Sequence, residues 1–282
     1  MGMQYQERDW EVVDYHEYIL TRNFYARGPE PANLTPGRYF ACVGAAQTFG
    51  CFCECPYPML LQQRLGVQAL NLGRAGAGPR FFLADSVLMQ HINHARFVII
   101  QVMSGRSEDN SLFKSRGLEW LKRLSDGVDL GAEQAYRELL ESHDKEFVSK
   151  IVKETRRNWV FSFVSLLKAI QPPKILFWFS QRGTGYREQF THVHSLFGHF
   201  PQLVNDSMMS EIRPFCDEYV ECVSSKGMPQ LLKSRFSGQP VLVNYGRKGE
   251  ESRTSSHNTY YPSPQMHEDA ANVLRPVSSK YV

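Results

Sequence analysis

Three arginines stand just beyond apolar runs in this chain: Arg80, Arg106 and Arg182. A guanidinium presents a planar fork of donors that matches carboxylate, phosphate or sulfate oxygens two at a time. Polar side chains accompany them: Gln47 and Thr48 after the first apolar run, Arg74 after the second, Ser107 and Asn110 after the third, Gln181 and Tyr186 after the fourth. Glycines such as Gly44 and Gly76 lie close by, and glycine lets backbone N–H groups approach an anion. The expectation is an arginine-lined anion site. The competing reading is that each arginine is solvated or pairs with Asp85, Glu108 or Asp217. Neither 44–50 nor 73–78 is a nucleotide fingerprint: the first lacks the Gly-Lys-Ser/Thr ending of a P-loop, the second the dinucleotide spacing.

Other chemistry-bearing residues are better explained by structure. Cys51, Cys53 and Cys55 alternate and so share one side of an extended segment, which could suit a soft metal. The paired Cys-x-x-Cys spacing of a structural zinc site is absent, and free thiols are expected. His91 with His94, and His192, His194 and His199, lie close in sequence without the order or carboxylate of a zinc motif, so no metal is expected. Trp120, Trp159 and Trp178 occur in apolar periodic contexts and read as core. Asp9, Trp10 and Glu11 read as a terminal segment folding back.

These residues need a scaffold, and the apolar pattern describes one. Short β-branched and aromatic runs at 38–43, 67–72, 96–103, 174–180 and 218–223 read as strands. Helical patterns follow at 58–65 and 81–91. The 96–103 run is almost continuously apolar, as in a strand covered on both faces. The alternation predicts an α/β fold: a three-layer α/β/α sandwich around a mainly parallel five-stranded sheet. Apolar residues recur at three- and four-residue spacing over 118–124, 132–141 and 147–170. A crossover needs only about a dozen residues, so 114–170 is expected to be a helical insertion within a single 1–282 domain. It is expected to be additional core, with a lid, a homodimer face or a lateral bulge as the alternatives. The stretch 237–257, rich in Gly, Ser, Arg and Lys, is expected to be a mobile loop.

Composition bounds the partners. The chain has 282 residues, 42% hydrophobic and 22% charged, which is ordinary for a globular protein. Thirty-two Lys and Arg against 29 Asp and Glu leave a formal charge of +3, too small for the phosphate-neutralising grip of a nucleic-acid binder. Runs such as 98–102 and 175–179 fall far short of the ~20 apolar residues of a membrane span. The polar, acidic start lacks a secretory pattern, so a cytoplasmic protein is expected.

Three segments go beyond the generic pattern. The first is Tyr39-Phe-Ala-Cys-Val-Gly44-Ala45-Ala46-Gln47-Thr48-Phe49-Gly50. The second is Val67-Gln-Ala-Leu-Asn71-Leu-Gly73-Arg-Ala-Gly76-Ala-Gly78. The third is Asn258-Thr-Tyr-Tyr261-Pro262-Ser-Pro264-Gln-Met-His267. In order and spacing they resemble the blocks of the SGNH (GDSL-like) hydrolases, a family of esterases and acyl-transfer enzymes, over roughly 38–274 without the insertion. The resemblance implies a flavodoxin-like fold with its site at the carboxyl ends of the strands. It also implies a degenerate triad. Where the family has Gly-Asp-Ser, this chain has Gly44-Ala45-Ala46, and Ala46 has no attacking hydroxyl. The family's Asp-x-x-His falls on Asn258 and Tyr261, and Tyr is a poor proton acceptor near neutral pH. The family's Gly-x-Asn reads Gly105-Arg106-Ser107; of the second block, Gly73 and Gly76 persist.

With the triad gone, classical ester hydrolysis is not expected. The leading expectation is a transferase moving a sulfuryl, phosphoryl or acyl group onto a glycan or small metabolite, from an anionic nucleotide-type donor. Gly44, Ala46, Gln47, Thr48, Gly76, Arg80, Arg106, Ser107, Asn110, Arg182 and Asn258 would bind it, and His267 or Tyr261 would act in proton transfer. The alternative is an inactive module that binds a glycan or a protein. A third reading makes Ser104 or Ser107 a displaced nucleophile.

Overall fold

Five apolar runs lie side by side in the computed structural model, which describes residues 4–245 and 253–282. They are β1 (Tyr39–Gly44), β2 (Gln68–Gly73), β3 (Val98–Gln101), β4 (Lys174–Ser180) and β5 (Glu218–Val223). All neighbours run parallel in the order β5-β4-β3-β1-β2. This is the flavodoxin-type order, with its topological switch between β1 and β3. Val43 sits opposite Leu72 on one side and Ile100 on the other, and Ile100 opposite Leu176.

The helices that matter for the site are α1 (Tyr57–Leu65), α2 (Ser86–Asn93), α3 (Ala132–Ser142), α4 (Lys145–Ala169), α5 (Asp206–Ile212) and α6 (Pro264–Ser278). Successive strand residues point to opposite faces, and two separate cores result. Phe40, Cys42, Ile99, Ile175 and Phe177 pack on Leu60 and Leu61 of α1 and on Met266, Ala270 and Leu274 of α6. Ala41, Val43, Leu70, Ile100, Leu176 and Trp178 pack on Leu88 and Ile92 of α2, Trp159 and Phe163 of α4, and Met208 of α5. β1 and β3 are therefore buried along their whole length, whereas the edge strand β5 alternates, with Val220 and Cys222 in and Glu221 and Val223 out. The three-layer α/β/α sandwich read from the sequence is present. Among the described residues, no helix is long and apolar enough to cross a membrane.

Three local readings need correction. The helix expected at 118–124 is instead the strand Trp120–Arg123, central in a three-stranded antiparallel sheet with Phe113–Lys114 and Asp129–Gly131. Its burial alternates: Leu121 is buried while Trp120 and Lys122 are exposed, so Trp120 is not core. The helix expected at 81–91 is two helices, because Asp85 accepts the N–H groups of Val87 and Leu88 and caps α2 afresh. The long α4 belongs to two cores at once: Trp159, Phe163 and Leu166 serve the sheet, and Val148, Ile151 and Val152 pack on Leu121, Tyr136 and Phe197. Within the expected mobile loop, Val243–Asn244 pairs with Thr254–Ser255, and 246–252 lie outside the described residues.

Candidate functional site

The chain turns sharply where β1 ends. Ala45 N–H donates to Gln101 Oε1 (3.0 Å), and the Thr48 hydroxyl donates to the same oxygen (2.7 Å) and lies 3.1 Å from Tyr57 Oη. A Cβ on Gly44 would come within 2.2 Å of Thr48 Oγ1 and 2.4 Å of Gln101 Oε1. Gly44 and Thr48 thus fix the turn from beneath. Ala46 and Gln47 are carried to the carboxyl end of the sheet, where a cleft opens.

The cleft has two adjoining lobes that share Gln47, Arg106, Glu133, Phe200, Gln202 and Tyr260. One lobe, about 200 Å³, is polar: Ser104, Ser107, Glu119 and the phenols of Tyr5 and Tyr261 join Ala46 and Gly76. The other, about 340 Å³, has apolar walls of Phe179, Phe197, Phe200 and Met266, with His194 and His199 beside them. Around the polar lobe several buried polar atoms have no hydrogen-bond partner among the described residues. They are both amide atoms of Gln47, Arg106 Nε, Ser107 Oγ and Gln202 Oε1. Gln47 is only 2% exposed, and an unmet buried polar group costs about 1–3 kcal/mol. Native proteins rarely leave such groups unmet except where something else meets them.

Arg106 is the cationic centre of the cleft. Its Nη2 donates to Glu119 Oε2 at 2.6 Å, and its guanidinium lies 5.9 Å from the Phe197 ring centre. Burial opposes its charge, but the nearby Tyr260, Glu119 and Glu133 outweigh that and hold its pKa above the ordinary value. Gly76 has φ +66° and Glu119 lies across it, so a Cβ there would fall 2.6 Å from Glu119 Cγ.

The other two arginines do not converge on Arg106, which corrects the three-arginine site. Arg80 pairs with Asp109 and, at 3.3 Å, with Glu108. Arg182 is a brace: Nε donates to His199 O (2.9 Å), Nη1 to Gly183 O (2.9 Å), and Nη2 to Pro201 O (2.6 Å) and Val204 O (2.9 Å). Burial pushes its pKa down to about 10. It holds 199–204 in place as one wall of the cleft but offers it no free fork.

Asn110 is also structural. It donates to Tyr136 Oη (3.2 Å) and Thr155 Oγ1 (3.0 Å) and accepts from the N–H groups of Leu112 and Phe113. Asn258 donates to Gln230 Oε1 and Tyr261 O and accepts from Tyr260 and Tyr261 N–H, so it holds the turn that presents both tyrosines to the cleft.

Neither proposed proton carrier is suited to that task. Tyr261 Oη lies 3.1 Å from Tyr5 Oη, and burial, with Cys51 beside it, raises its pKa rather than lowering it. His267 does not line the cleft. It is fully buried between Tyr57 and Phe179, its Nδ1 accepts Tyr57 N–H at 3.2 Å, and burial pushes it down to about 3. Ser104 Oγ accepts Arg106 N–H at 3.3 Å. Among the described residues, no serine, threonine or cysteine of the cleft is hydrogen-bonded to a histidine.

The histidine and cysteine groups assemble no metal site: among the described residues there is no cluster of three such ligands. His192 caps the helix Val193–Phe197 by accepting Ser195 N–H (3.1 Å), and Cys51 and Cys53 are buried, with burial pushing the Cys53 thiol up to about 12.

Tyr5, Glu119, Glu133, Gln202 and Tyr260 line the cleft without having stood out in the sequence. Tyr5 comes from the helix Gln4–Asp9, pinned in place by Arg8. That guanidinium lies 4.8–5.7 Å from the ring centres of Tyr5, Phe52, Tyr245 and Tyr261 and donates to buried Asp9 (2.7 Å), which also accepts the Tyr15 hydroxyl (2.6 Å).

The model of a domain family of unknown function, DUF6473, matches residues 3–282. The chain belongs to the DUF6473 family. No curated protein matches it in sequence. Among solved structures, this DUF6473 chain is similar to the lipase Lip_vut3 from a goat rumen metagenome, with 11% identity and a TM-score of 0.41 over 86% of this chain and 97% of that one. A family two carbohydrate esterase from Clostridium thermocellum, in complex with cellohexaose, shows 8% identity and a TM-score of 0.41 over 92% and 68%. A catalytic mutant of the acetylxylan esterase Axe2 from Geobacillus stearothermophilus shows 14% identity and a TM-score of 0.40 over 88% and 97%.

Proposed function

We propose that this protein is a non-hydrolytic binding protein on an SGNH-like scaffold, whose cleft takes a small hydroxyl-rich ligand of the glycan type. The observation that carries the reading is the set of unpartnered atoms on Gln47, Arg106, Ser107 and Gln202 around one lobe. They are mixed in kind. Gln47 supplies an acceptor and donors, Gln202 the end of its amide that Tyr260 leaves free, Ser107 either, and Arg106 a donor. A hydroxyl donates and accepts, so a polyol can meet all of them, whereas an anion meets only the donors. Because both ends of the Gln47 amide lack partners among the described residues, exchanging its O and N changes nothing. The apolar lobe beside it suits the less polar part of the same ligand.

Ala46 where the SGNH hydrolases that the sequence resembles carry a serine, and the core position of His267, favour binding over turnover. The transfer reading asks for a three-arginine seat, and Arg80 and Arg182 are engaged elsewhere. Calorimetric titration with neutral mono- and oligosaccharides tests the proposal. Gln47→Ala or Gln202→Ala is expected to weaken binding at least about tenfold, the effect of roughly 1.4 kcal/mol. Binding unchanged in both variants, or no binding by any saccharide, would overturn it.

A further inference from the structure

Arg106 raises a question of ligand charge. It is the sort of residue that seizes an anion, yet its Nη2 already donates to Glu119 at 2.6 Å in a partly buried pair. Glu119 belongs to the segment leading into the strand Trp120–Arg123, whereas Arg106 follows β3, so two distant parts of the chain meet over the cleft. The contact with Gly76 fixes where the carboxylate stem runs. A Cβ on Gly76 would lie 2.6 Å from Glu119 Cγ and 3.0 Å from Cδ, so this glycine leaves just enough room for that side chain. Glu133 also lines both lobes, with Arg137 donating to it at 3.1 Å. Among the described residues lining the polar lobe, two carboxylates thus face one guanidinium.

We infer that Glu119 is a built-in anion that occupies the guanidinium of Arg106 and restricts the cleft to ligands without negative charge. The inference rests on the reading of the cleft as a ligand site and adds the ligand's charge class. An incoming carboxylate or phosphate must displace Glu119 from Arg106, or sit beside it at a distance where like charges repel. A neutral polyol needs neither. It can accept from Arg106 Nε, which has no partner among the described residues, while the Glu119 pair stays intact. Glu119 therefore acts as a specificity-determining residue by exclusion.

The test is Glu119→Gln, which keeps the shape and removes the charge, titrated with inorganic phosphate and with acetate by calorimetry. Glu119→Ala provides the same test should the amide be poorly accommodated. The wild-type protein should bind neither anion in the millimolar range. Either variant should gain phosphate affinity by about tenfold or more, the lower end for hydrogen bonds to a charged group, and adding Arg106→Gln should abolish the gain. Wild-type binding of phosphate as tight as the variant's would overturn the inference, as would folded variants that gain nothing. Saccharide titration is read separately. Phosphate gained without any saccharide binding would uphold the role of Glu119 while refuting the glycan-type ligand.

Discussion

Replacing His267 should flatten the acid limb of this protein's stability curve. The ring stacks near Tyr57 (centroids 6.1 Å apart) and meets Phe179 edge-on (5.3 Å). Since Nδ1 accepts Tyr57 N–H, the proton of the neutral ring sits on Nε2, which has no partner among the described residues. Burial first, and the Arg27 cation second, push the pKa from 6.5 to about 3. The unfolded chain therefore takes up a proton near pH 6.5 that the folded chain refuses until about pH 3. The stability held by the neutral ring is complete above pH 6.5 and is lost progressively as pH falls towards 3. A gap of about 3.5 pH units at ~1.4 kcal/mol each gives a loss of ~5 kcal/mol over the window, of which ~2 kcal/mol is gone at pH 5. His267→Asn keeps an acceptor near Tyr57 N–H and removes the titration. It should cost about 2 kcal/mol at pH 7 through lost packing, yet lose ~2 kcal/mol less than the wild type between pH 7 and pH 5. Guanidinium unfolding at pH 7, 6 and 5 measures both curves. If they fall in parallel, or if the imidazole titrates near pH 6 by NMR, the buried-neutral account is wrong.

Three further outcomes follow from the same geometry. Gly44→Ala should lower stability by about 2 kcal/mol or more, because the new methyl meets Thr48 Oγ1 and Gln101 Oε1; an unchanged Tm would contradict that close approach. Arg182→Ala should cost about 3 kcal/mol and speed amide hydrogen exchange in 199–204, since four backbone carbonyls lose their donor; exchange there at the wild-type rate would show the brace to be dispensable. A fluorophosphonate probe should label neither Ser104 nor Ser107, because among the described residues no histidine is hydrogen-bonded to either; a covalent adduct at either serine, seen by mass spectrometry, would restore a displaced-nucleophile reading.

The sheet was legible because parallel strands buried on both faces leave unbroken apolar runs. The runs at 174–180 and 218–223 coincide with β4 and β5. The strand Trp120–Arg123 was not, since Leu118, Leu121 and Leu124 recur at a helical interval while only Leu121 is fully buried. Strand-end position told that Arg106 would reach the cleft but not which way Arg80 and Arg182 would turn. Their partners, Asp109 and the carbonyls of 199–204, are set by loop paths that no periodicity encodes. The remaining lining is long-range in origin: Tyr5 and Tyr261 touch across 256 residues, and Glu119 reaches Arg106 from a segment misread as helix. Gln202 carries no local signal at all.

The most direct test is a crystal structure of the intact chain soaked with a neutral oligosaccharide. Sugar hydroxyls within hydrogen-bond reach of Gln47, Ser107 and Gln202, with the Arg106–Glu119 pair preserved, are the expected result. A saccharide seated elsewhere with the cleft left to solvent, or a cleaved or covalently attached product beside Ala46, would contradict it.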